Sequence, residues 1–403
     1  MSRYETKGNW IVLLSLVLSI ACANPGRAPS GEQAPESDQV FAAGHRVVFQ
    51  SRILEEEREL LVYLPESYGT ADLRYPVLYL LDAENDFLHT IGIAEFLAGI
   101  DRIPELIVVG VVNTNRSRDL TPESGDSEET AFWDAVGGAD RFQRALREEA
   151  IPFVDRTYRT ERFRILRGQS FGGLFAIHDY MSAAPVFDAV LASSPAVGWN
   201  HGKLLKAASE FFLGGVPRPL FVASAGKDFP GNLEDIVEFA RIVDAANDGK
   251  IWRHEHFESD GHYTLHHQST YRGLQFVFAS WPVPDEIAQT ADFDAYAQHF
   301  ADLSRRYGYT IQIPMQTVVR IGNQLLREQD FEKGISVFER AQEIYISLPE
   351  AHWRVGEAYR LAGRSAEARP HFERAYELAT AQNAPDLSDY KETLDQLDQA
   401  GRP

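Results

Sequence analysis

A serine flanked by glycines is the clearest chemical signal in this chain. Residues 168–172 read Gly-Gln-Ser-Phe-Gly, at the end of a strand-like run and directly before a helical pattern. The spacing is typical of a nucleophile elbow, a turn so tight that only small residues fit beside the serine. Such a turn raises the Ser170 hydroxyl above a sheet for attack on a carbonyl carbon. The five-residue motif also arises by chance, so the prediction needs an acid and then a histidine further along the chain.

The base should follow the last strand of the sheet, and His262 is the histidine in that position. Gly261 precedes it in a strand-to-helix loop, from which an imidazole can accept the Ser170 proton. His266 is the second candidate, because the surrounding stretch is rich in histidine. Asp260, His262 and His266 also have a spacing that a metal site can use, but no further ligand joins them at a recognised spacing. We therefore predict a site without metal or cofactor.

The acid should follow the strand that ends at Ser224, and Asp228 lies there, in the sequence Ala-Gly-Lys-Asp. A carboxylate at this point would orient the imidazole and stabilise its protonated form. Glu234 and Asp235, one turn into the next helix, are rival candidates. The competing interpretation is that all three acids only stabilise the N-terminus of the following helix by their negative charge.

Two backbone N–H groups should bind the oxyanion that forms during attack. One belongs to Phe171, the residue after the serine, and the other should come from the loop that follows the strand at residues 77–81. That loop offers Ala83 or Glu84. Because only the backbone N–H would bind the oxyanion, the side-chain types of Ala83 and Glu84 do not show which of the two is the donor.

Strand-like runs alternate with helical patterns through the first two thirds of the chain, which predicts an α/β fold with a mostly parallel sheet covered on both faces. The runs are residues 75–81, 106–112, 164–167, 187–193, 219–224 and 251–257. An antiparallel hairpin at residues 45–54 and 60–64 precedes them, with a charged turn at residues 55–59. The polar stretch 113–138 is expected to be a long loop that carries part of a substrate site.

The size and charge of the chain narrow the function classes. With 403 residues the chain exceeds what one hydrophobic core usually serves, so two domains are expected. Its composition is that of a globular protein, and its formal net charge is −20. A protein that binds nucleic acid would want a basic face, so we predict no nucleic-acid partner.

Residues 1–23 have the pattern of an export signal. Two basic residues precede an uncharged apolar run, residues 10–21, which is too short to span a bilayer. Cys22, the only cysteine, ends this run as at a bacterial lipoprotein cleavage site, where the cysteine becomes lipidated. Ordinary cleavage after Ala23 and an internal hydrophobic helix are the alternatives. Residues 24–43 read as a flexible tether, so we expect an exported protein, periplasmic or lipid-anchored, of a bacterium.

Residues 284–403 change to helical patterns without strands. Two copies of a 34-residue unit begin at residues 315 and 349. Between the copies, Gly322 matches Gly356 and Phe338 matches Phe372. This period resembles a tetratricopeptide repeat, with flanking helices that complete or cap the stack. Two interpretations stay open: the repeats bind a protein or peptide partner in a concave face, or they are a structural appendage docked on the rest of the chain.

Several motifs in the same order resemble the putative esterase family of α/β-hydrolases, which includes enterochelin esterases, esterase D-type hydrolases, feruloyl esterases and mycolyltransferases. The motifs are the strand and Asp-Ala at residues 75–83, the elbow at residues 168–173, Ser-Ser-Pro at 193–195 with Trp199, and Gly-His-Tyr at 261–263. The resemblance implies an α/β-hydrolase domain over residues 44–283 that acts on carboxylic esters without a cofactor. It carries over Ser170 and His262 as catalytic residues and places Trp199 on the substrate side, with a position in the hydrophobic core as the alternative for Trp199. Where many members have Asp-Gly after the strand, this chain has Asp-Ala.

Three functions fit these patterns. The first is a serine esterase of the cell envelope that forms an acyl-enzyme, with siderophore or other natural-product esters as substrates. The second is an acyltransferase that uses the same acyl-enzyme with another acceptor. The third is a binding protein in which the repeats hold a partner and the hydrolase domain is inactive. The intact set of serine, histidine and acid favours the first.

Overall fold

The computed structural model describes residues 43–69, 73–133, 135–246 and 251–400. For residues 398–400 it describes the backbone alone. Residues 1–42, which hold the predicted export signal, Cys22 and nearly all of the predicted tether, lie outside the described residues. Among the helices that are described, none combines the length and the apolar character that crossing a membrane requires.

Eight strands form one sheet, in the spatial order β1-β2-β4-β3-β5-β6-β7-β8. In chain order they are β1 (His45–Ser51), β2 (Glu56–Tyr63), β3 (Tyr75–Leu80), β4 (Ile107–Val111), β5 (Thr160–Gln169), β6 (Ala189–Ser193), β7 (Leu220–Lys227) and β8 (Trp252–Gly261). β2 pairs antiparallel with β1 and with β4, and the remaining neighbours are parallel. The predicted α/β architecture with a mostly parallel sheet is confirmed.

Helices cover both faces of this sheet. They are α1 (Ala83–Gly99), α2 (Arg116–Leu120), α3 (Ser127–Phe132), α4 (Ala139–Ala145), α5 (Ile151–Thr157), α6 (Phe171–Met181), α7 (Trp199–Phe211), α8 (Asn232–Ala245) and α9 (His266–Val277). Successive side chains of a strand point to opposite faces. Accordingly Val77 and Tyr79 join a core with α6 and α8, whereas Leu78 and Leu80 join a core with α1 and α9. Every residue of β3, β4 and β6 is buried, as their uninterrupted apolar runs predict.

Several segments differ from the sequence prediction. The hairpin turn lies at residues 52–55 and not at 55–59, because β1 ends at Ser51 and Glu56 already pairs with it, and Glu55 takes a positive φ of 62° in the turn. β5 begins four residues before the predicted strand, at Thr160. The stretch 113–138, predicted to be an irregular loop, contains α2 and α3. β8 continues four residues beyond the predicted end, to Gly261, and so delivers its last residue directly to the histidine that follows.

Seven further helices follow the sheet. They are α10 (Asp285–Ala288), α11 (Phe293–Tyr307), α12 (Met315–Arg327), α13 (Phe331–Ile344), α14 (Pro349–Leu361), α15 (Ser365–Gln382) and α16 (Leu387–Ala400). The 34-residue repeat reflects a packing contact in which an aromatic ring lies against a glycine. A Cβ on Gly322 would lie 2.3 Å from the Phe338 ring, and one on Gly356 would lie 2.9 Å from Phe372. Each repeat thus packs a phenylalanine of its second helix onto a glycine of its first.

The helical region packs against the sheet through a shared apolar cluster. Phe163 of β5 contacts Phe278 and Tyr307, with ring centroids 6.0 and 5.2 Å away, and those two rings lie 5.3 Å apart. The Tyr307 hydroxyl also donates a hydrogen bond to the Val277 carbonyl at 3.1 Å. Buried side chains of α12 and α13, including Ile321 and Phe338, belong to the same cluster. Apolar packing therefore runs without a break from the sheet into the repeats.

Candidate active site

Ser170 is the single residue that connects β5 to α6, and its backbone has a conformation that few residues adopt. Its φ is 56° and its ψ is −115°, outside the regions allowed to most L-residues. The surrounding structure fixes this backbone, because the Ser170 N–H donates to the Ser193 carbonyl at 3.0 Å and the Ser170 carbonyl accepts from the Leu174 N–H at 2.8 Å. Backbone strain that neighbours hold in place in this way is common at functional sites.

Two glycines around Ser170, Gly168 and Gly173, leave no room for a side chain. A Cβ on Gly168 would lie 2.1 Å from the Gly172 carbonyl oxygen, which is impossible without moving the backbone. Gly173 is similarly tight, since its Cβ would lie 2.9 Å from Pro195 after β6. The turn therefore has the sterically restricted geometry that the sequence motif predicts.

His262 and Asp228 lie side by side at the carboxyl ends of β8 and β7. The distance between His262 Nδ1 and Asp228 Oδ1 is 2.7 Å, and the two side chains are 5% and 1% exposed. An ionised carboxylate can only accept, so Nδ1 carries the proton and Nε2 keeps its lone pair. The arrangement leaves Nε2 as the basic atom of the pair.

Asp228 is held ionised by a set of donors. Ser194 Oγ donates to Oδ2 at 2.5 Å, and the Phe229 N–H donates to Oδ1 at 2.7 Å. Burial acts to raise the pKa of Asp228, but the hydrogen bonds from His262, Ser194 and Phe229 outweigh it and bring this pKa below its usual value. The carboxylate therefore stays charged at neutral pH, as a partner for an imidazolium must.

The rival candidates point elsewhere. A Cβ on Gly198 would lie 2.0 Å from Asp235 Oδ2, so this carboxylate lies against the Gly198 backbone. Burial and the neighbouring charge of Glu234 raise the pKa of Asp235. His266 Nδ1 bonds to Asp86 at 2.8 Å. Of the predicted acids, the structure brings only Asp228 to His262.

Ser170 and His262 line one cavity of about 980 Å³ above the carboxyl ends of the strands. Its walls combine aromatic, cationic and histidine side chains. The described lining residues are Asp82, Asn85, Asp86, His89, Arg116, Trp133, Gln169, Ser170, Phe171, Ala196, Phe229, Asn232, His262, Tyr263, Thr264, His266 and His267. The volume lies at the upper end of the range typical of small-molecule sites.

The predicted oxyanion donors differ in their placement. Phe171 is the first residue of α6 and lines the cavity, and the first N–H groups of a helix have no partner within it. Ala83 is buried, and a Cβ on Gly110 would lie 2.7 Å from its methyl group. The carboxylate of Glu84 accepts from the Asn113 N–H at 3.1 Å. Neither Ala83 nor Glu84 is among the described lining residues, and the backbone role of each stays a prediction.

Trp199, which the family resemblance places on the substrate side, lies one layer behind the cavity. Its indole N–H donates to the Pro122 carbonyl at 2.9 Å, and its ring meets the edge of Phe171 at 5.2 Å. Trp133 is the tryptophan that lines the cavity, with its ring 5.0 Å from that of Phe171. The polar stretch 113–138 thus does contribute to the cavity, although its individual residues carried no signal in the sequence.

Arg116 is a second lining residue that sequence reasoning missed. Its guanidinium donates to both carboxylate oxygens of Asp82, at 2.6 and 2.8 Å, and to the Gln169 carbonyl at 3.3 Å. The same group lies 5.5 Å from the centre of the Phe171 ring. Arg116 therefore connects the turn after β3 to the two residues that flank Ser170.

Comparison with known families decides the classification. A family model described as "Putative esterase" matches residues 51–269, more than half of the chain. The chain belongs to this esterase family. A tetratricopeptide repeat model also matches residues 315–381, which confirms the predicted fusion of an esterase region with C-terminal repeats.

Two curated relatives of this chain are named for siderophores. The chain is 32% identical over 159 residues to the ferri-bacillibactin esterase BesA of Bacillus subtilis, covering 34% of this chain and 53% of that protein. It is 35% identical over 119 residues to the siderophore enterobactin esterase of Emericella nidulans, covering 27% of this chain and 39% of that protein. The chain thus spans about half or less of the length of these relatives.

Solved structures extend the likeness over more of the molecule. An IroE-like serine hydrolase from Shewanella oneidensis has a TM-score of 0.62 and 27% identity, covering 71% of this chain and 95% of that one. An uncharacterised protein from Capnocytophaga ochracea has a TM-score of 0.56 and 17% identity, covering 88% of this chain and 99% of that one. At that identity the second match shows the fold alone, with a span that reaches into the helical region.

Proposed function

We propose that this chain is a serine carboxylic-ester hydrolase whose triad consists of Ser170, His262 and Asp228. One observation carries the proposal: a strained serine and a histidine with a 2.7 Å bond to a buried carboxylate open into the same cavity. Membership of the esterase family supports it, as do the names of the curated relatives.

The first half of the reaction forms an acyl-enzyme. Ser170 Oγ attacks the ester carbonyl carbon while His262 Nε2 takes the hydroxyl proton, and Asp228 stabilises the resulting imidazolium. The Phe171 N–H, together with that of Ala83 or Glu84, is proposed to bind the oxyanion. The C–O bond of the ester then breaks, and the alcohol leaves with the proton that His262 returns to it.

The second half restores the enzyme. A water molecule attacks the acyl carbon as His262 removes one of its protons. The bond from the acyl carbon to Ser170 Oγ then breaks, His262 returns the proton to Oγ, and the carboxylic acid leaves. An acyltransferase would differ in one respect, because an alcohol acceptor would take the place of water. Nothing in the cavity walls favours the transferase, so hydrolysis is the function proposed.

The substrate class proposed is an ester that carries planar aromatic groups. Trp133, Phe171, Phe229 and Tyr263 surround the serine with aromatic surface, and Arg116 adds a cation to the same walls. Aromatic side chains bind planar rings by stacking or edge contacts, and a guanidinium favours anionic or phenolic oxygens. The relatives named for bacillibactin and enterobactin esters support this choice.

The decisive experiment labels the protein with a fluorophosphonate and follows hydrolysis of p-nitrophenyl butyrate and of enterobactin. Ser170→Ala should abolish labelling and lower kcat/KM at least about 1,000-fold. Ser336→Ala, an exposed serine of α13, is the matched control and should behave as wild type. Hydrolysis by Ser170→Ala at the wild-type rate would overturn the proposal, and ester product formed from an added alcohol would replace hydrolase by transferase.

We further propose that the protein is exported to the cell envelope, anchored by lipid on Cys22, and that its repeats bind a protein partner. The export pattern of residues 1–23 supports export and the anchor, and the match to tetratricopeptide repeats supports a protein partner. Palmitate labelling in bacterial cells should mark wild type and not Cys22→Ala. Equal labelling of both proteins, or of neither, would rule out the anchor.

A further inference from the structure

A second cluster of polar side chains shares the cavity with Ser170 but takes no part in the proposed triad. Asp86 and His89 lie on one face of α1, three residues apart, and His266 begins α9. His89 Nε2 lies 3.0 Å and His266 Nδ1 lies 2.8 Å from the same oxygen, Asp86 Oδ1. The three donor atoms lie within 4.8 Å of one another.

We propose that Asp86, His89 and His266 form a binding site for a divalent transition-metal ion, with Zn²⁺ as the ion used to test it. Two imidazoles and one carboxylate are ligands that zinc accepts, at about 2.0–2.2 Å from the metal. Donor atoms around a tetrahedral ion are then roughly 3.4 Å apart. The observed separations of 2.8 and 3.0 Å need only small side-chain rotations to reach that spacing. This set differs from the Asp260, His262 and His266 spacing that the sequence suggests.

The surroundings of Asp86 are those of a metal-ligating carboxylate. Arg167 is fully buried and forms an ion pair with the other oxygen, Oδ2, so that Oδ1 is left facing the two imidazoles. Arg167 is itself fixed by a hydrogen bond to Thr270 Oγ1 at 3.2 Å, and Thr270 donates to the His266 carbonyl at 2.8 Å. Ligands held by a further shell of hydrogen bonds in this way are typical of metal sites.

The two imidazoles are poorly satisfied when they serve only Asp86. Each uses one ring nitrogen on the same carboxylate oxygen, so His89 Nε2 and His266 Nδ1 share one acceptor atom. An ion bound between the three side chains would give each of these nitrogens its own bond to the metal. Packing alone gives no reason to gather two histidines on one carboxylate here.

Three protein ligands leave a fourth position of a tetrahedral ion open. Asp86, His89 and His266 all line the cavity that holds Ser170, so this open position would face a molecule bound there. Its natural occupant is an oxygen or nitrogen atom of that molecule. Because Arg167 already compensates much of the charge of Asp86, we expect affinity in the micromolar range and not the tighter binding of sites with several free carboxylates.

The test measures Zn²⁺ binding to the full chain, without a histidine tag and after treatment with a chelator. A competing chromophoric chelator should report one ion per chain, with a dissociation constant in the micromolar range or tighter. His89→Ala and His266→Ala should each weaken binding at least about tenfold, since loss of even an outer-shell partner costs that much. Asp86→Asn is avoided because it would leave Arg167 buried without its partner.

Two controls separate this site from the histidine-rich surface and from catalysis. His267→Ala removes a neighbouring cavity histidine, whose ring lies 5.7 Å from that of His89 and which supplies no donor to the cluster, so zinc binding should stay at the wild-type level. Ser170→Ala should also bind zinc normally, which makes this test independent of the proposed hydrolase activity. The melting temperature of each variant without metal shows whether it is folded.

Bound Co²⁺ gives a spectroscopic readout that structural damage would not imitate. Wild type should show the visible absorption bands of a tetrahedral cobalt ion, and His266→Ala should lose them while remaining folded. The proposal is overturned if wild type shows no saturable binding at micromolar zinc. It is equally overturned if both histidine variants bind zinc as wild type does, or if binding disappears only when His254 and His256 are replaced.

Discussion

Two histidines that line one cavity, His262 and His266, are each paired with an aspartate at almost the same distance, yet the surroundings of the two aspartates differ. The distance is 2.7 Å between Asp228 and His262, and 2.8 Å between Asp86 and His266. Asp228 receives its other described hydrogen bonds from neutral donors, the Ser194 hydroxyl and the Phe229 N–H. Asp86 is shared between two histidines and the cation of Arg167.

The difference shows why a short aspartate–histidine distance does not by itself identify a catalytic base. Burial acts to raise the pKa of Asp86, but hydrogen bonds from His266 and His89 and the charge of Arg167 lower it strongly. A carboxylate already neutralised by a guanidinium does less to stabilise an imidazolium than one with neutral donors. The Asp228 pair is therefore suited to proton transfer, and the Asp86 cluster to holding a ligand.

The largest effect should come from removing one histidine of each pair. His262→Ala should lower kcat/KM for enterobactin about 10,000-fold, because the proton acceptor for Ser170 is lost. His266→Ala should lower it less than tenfold. Steady-state rates of the two purified variants check this, and a larger loss in His266→Ala than in His262→Ala would reverse the assignment of the two pairs.

Asp228→Asn should have the next largest effect. An amide in place of the carboxylate favours the wrong imidazole tautomer, and a loss of about 1,000- to 10,000-fold in kcat is expected with KM little changed. Asp235→Asn is the matched control, since that carboxylate lies against Gly198, and should keep its activity within about twofold. Comparable losses in both variants would point to a damaged fold and not to a catalytic role for Asp228.

Ser194→Ala tests the surroundings of Asp228 and should lower kcat less than Asp228→Asn does. It removes one hydrogen bond to Asp228, worth about 1.5–3 kcal/mol to a charged acceptor, so we expect kcat to fall roughly tenfold or somewhat more. Thr270→Val removes the corresponding hydroxyl beside Arg167 and should change kcat less. Steady-state rates of the two purified variants distinguish them, with their melting temperatures as the check on folding, and an equal loss of kcat in both would contradict the comparison.

The smallest effect concerns stability and pH. Because folding lowers the pKa of Asp228, its contribution is present above the unfolded value of about 3.9 and is lost as pH falls through the lowered folded value. Folding raises the pKa of Asp235, so its ionised form destabilises the fold at neutral pH. Melting curves should show Asp228→Asn less stable than wild type at pH 7 and Asp235→Asn slightly more stable, with both differences shrinking in acid. Differences that stay constant with pH would contradict these pKa directions.

The sequence predicts the parts of the site that follow from the order of strands. Ser170, Asp228 and His262 each come directly after a strand, and parallel strands bring such positions to one edge of the sheet. Gly168 carries its own signal because a Cβ there would collide with the Gly172 carbonyl. These inferences succeed because backbone geometry restricts both the residue type and the place in the chain.

The parts that depend on side-chain direction were not predictable. Arg116 and Trp133 come from a stretch without a periodic pattern, and nothing local shows that they turn towards the serine. Trp199 was expected beside the substrate, but its indole N–H bonds to Pro122 and its ring packs behind Phe171. The Asp86 cluster joins residues 180 positions apart, a separation that no sequence spacing reveals.

The ring contacts of Phe163, Phe278 and Tyr307 limit where this chain can be truncated. A chain ended at residue 283 would keep Phe163 and Phe278 but lose Tyr307, and would leave an apolar surface in water where α11 and α12 now pack. Such a truncated chain should aggregate. The helical region therefore covers apolar surface of the sheet region and cannot be removed like an independent module.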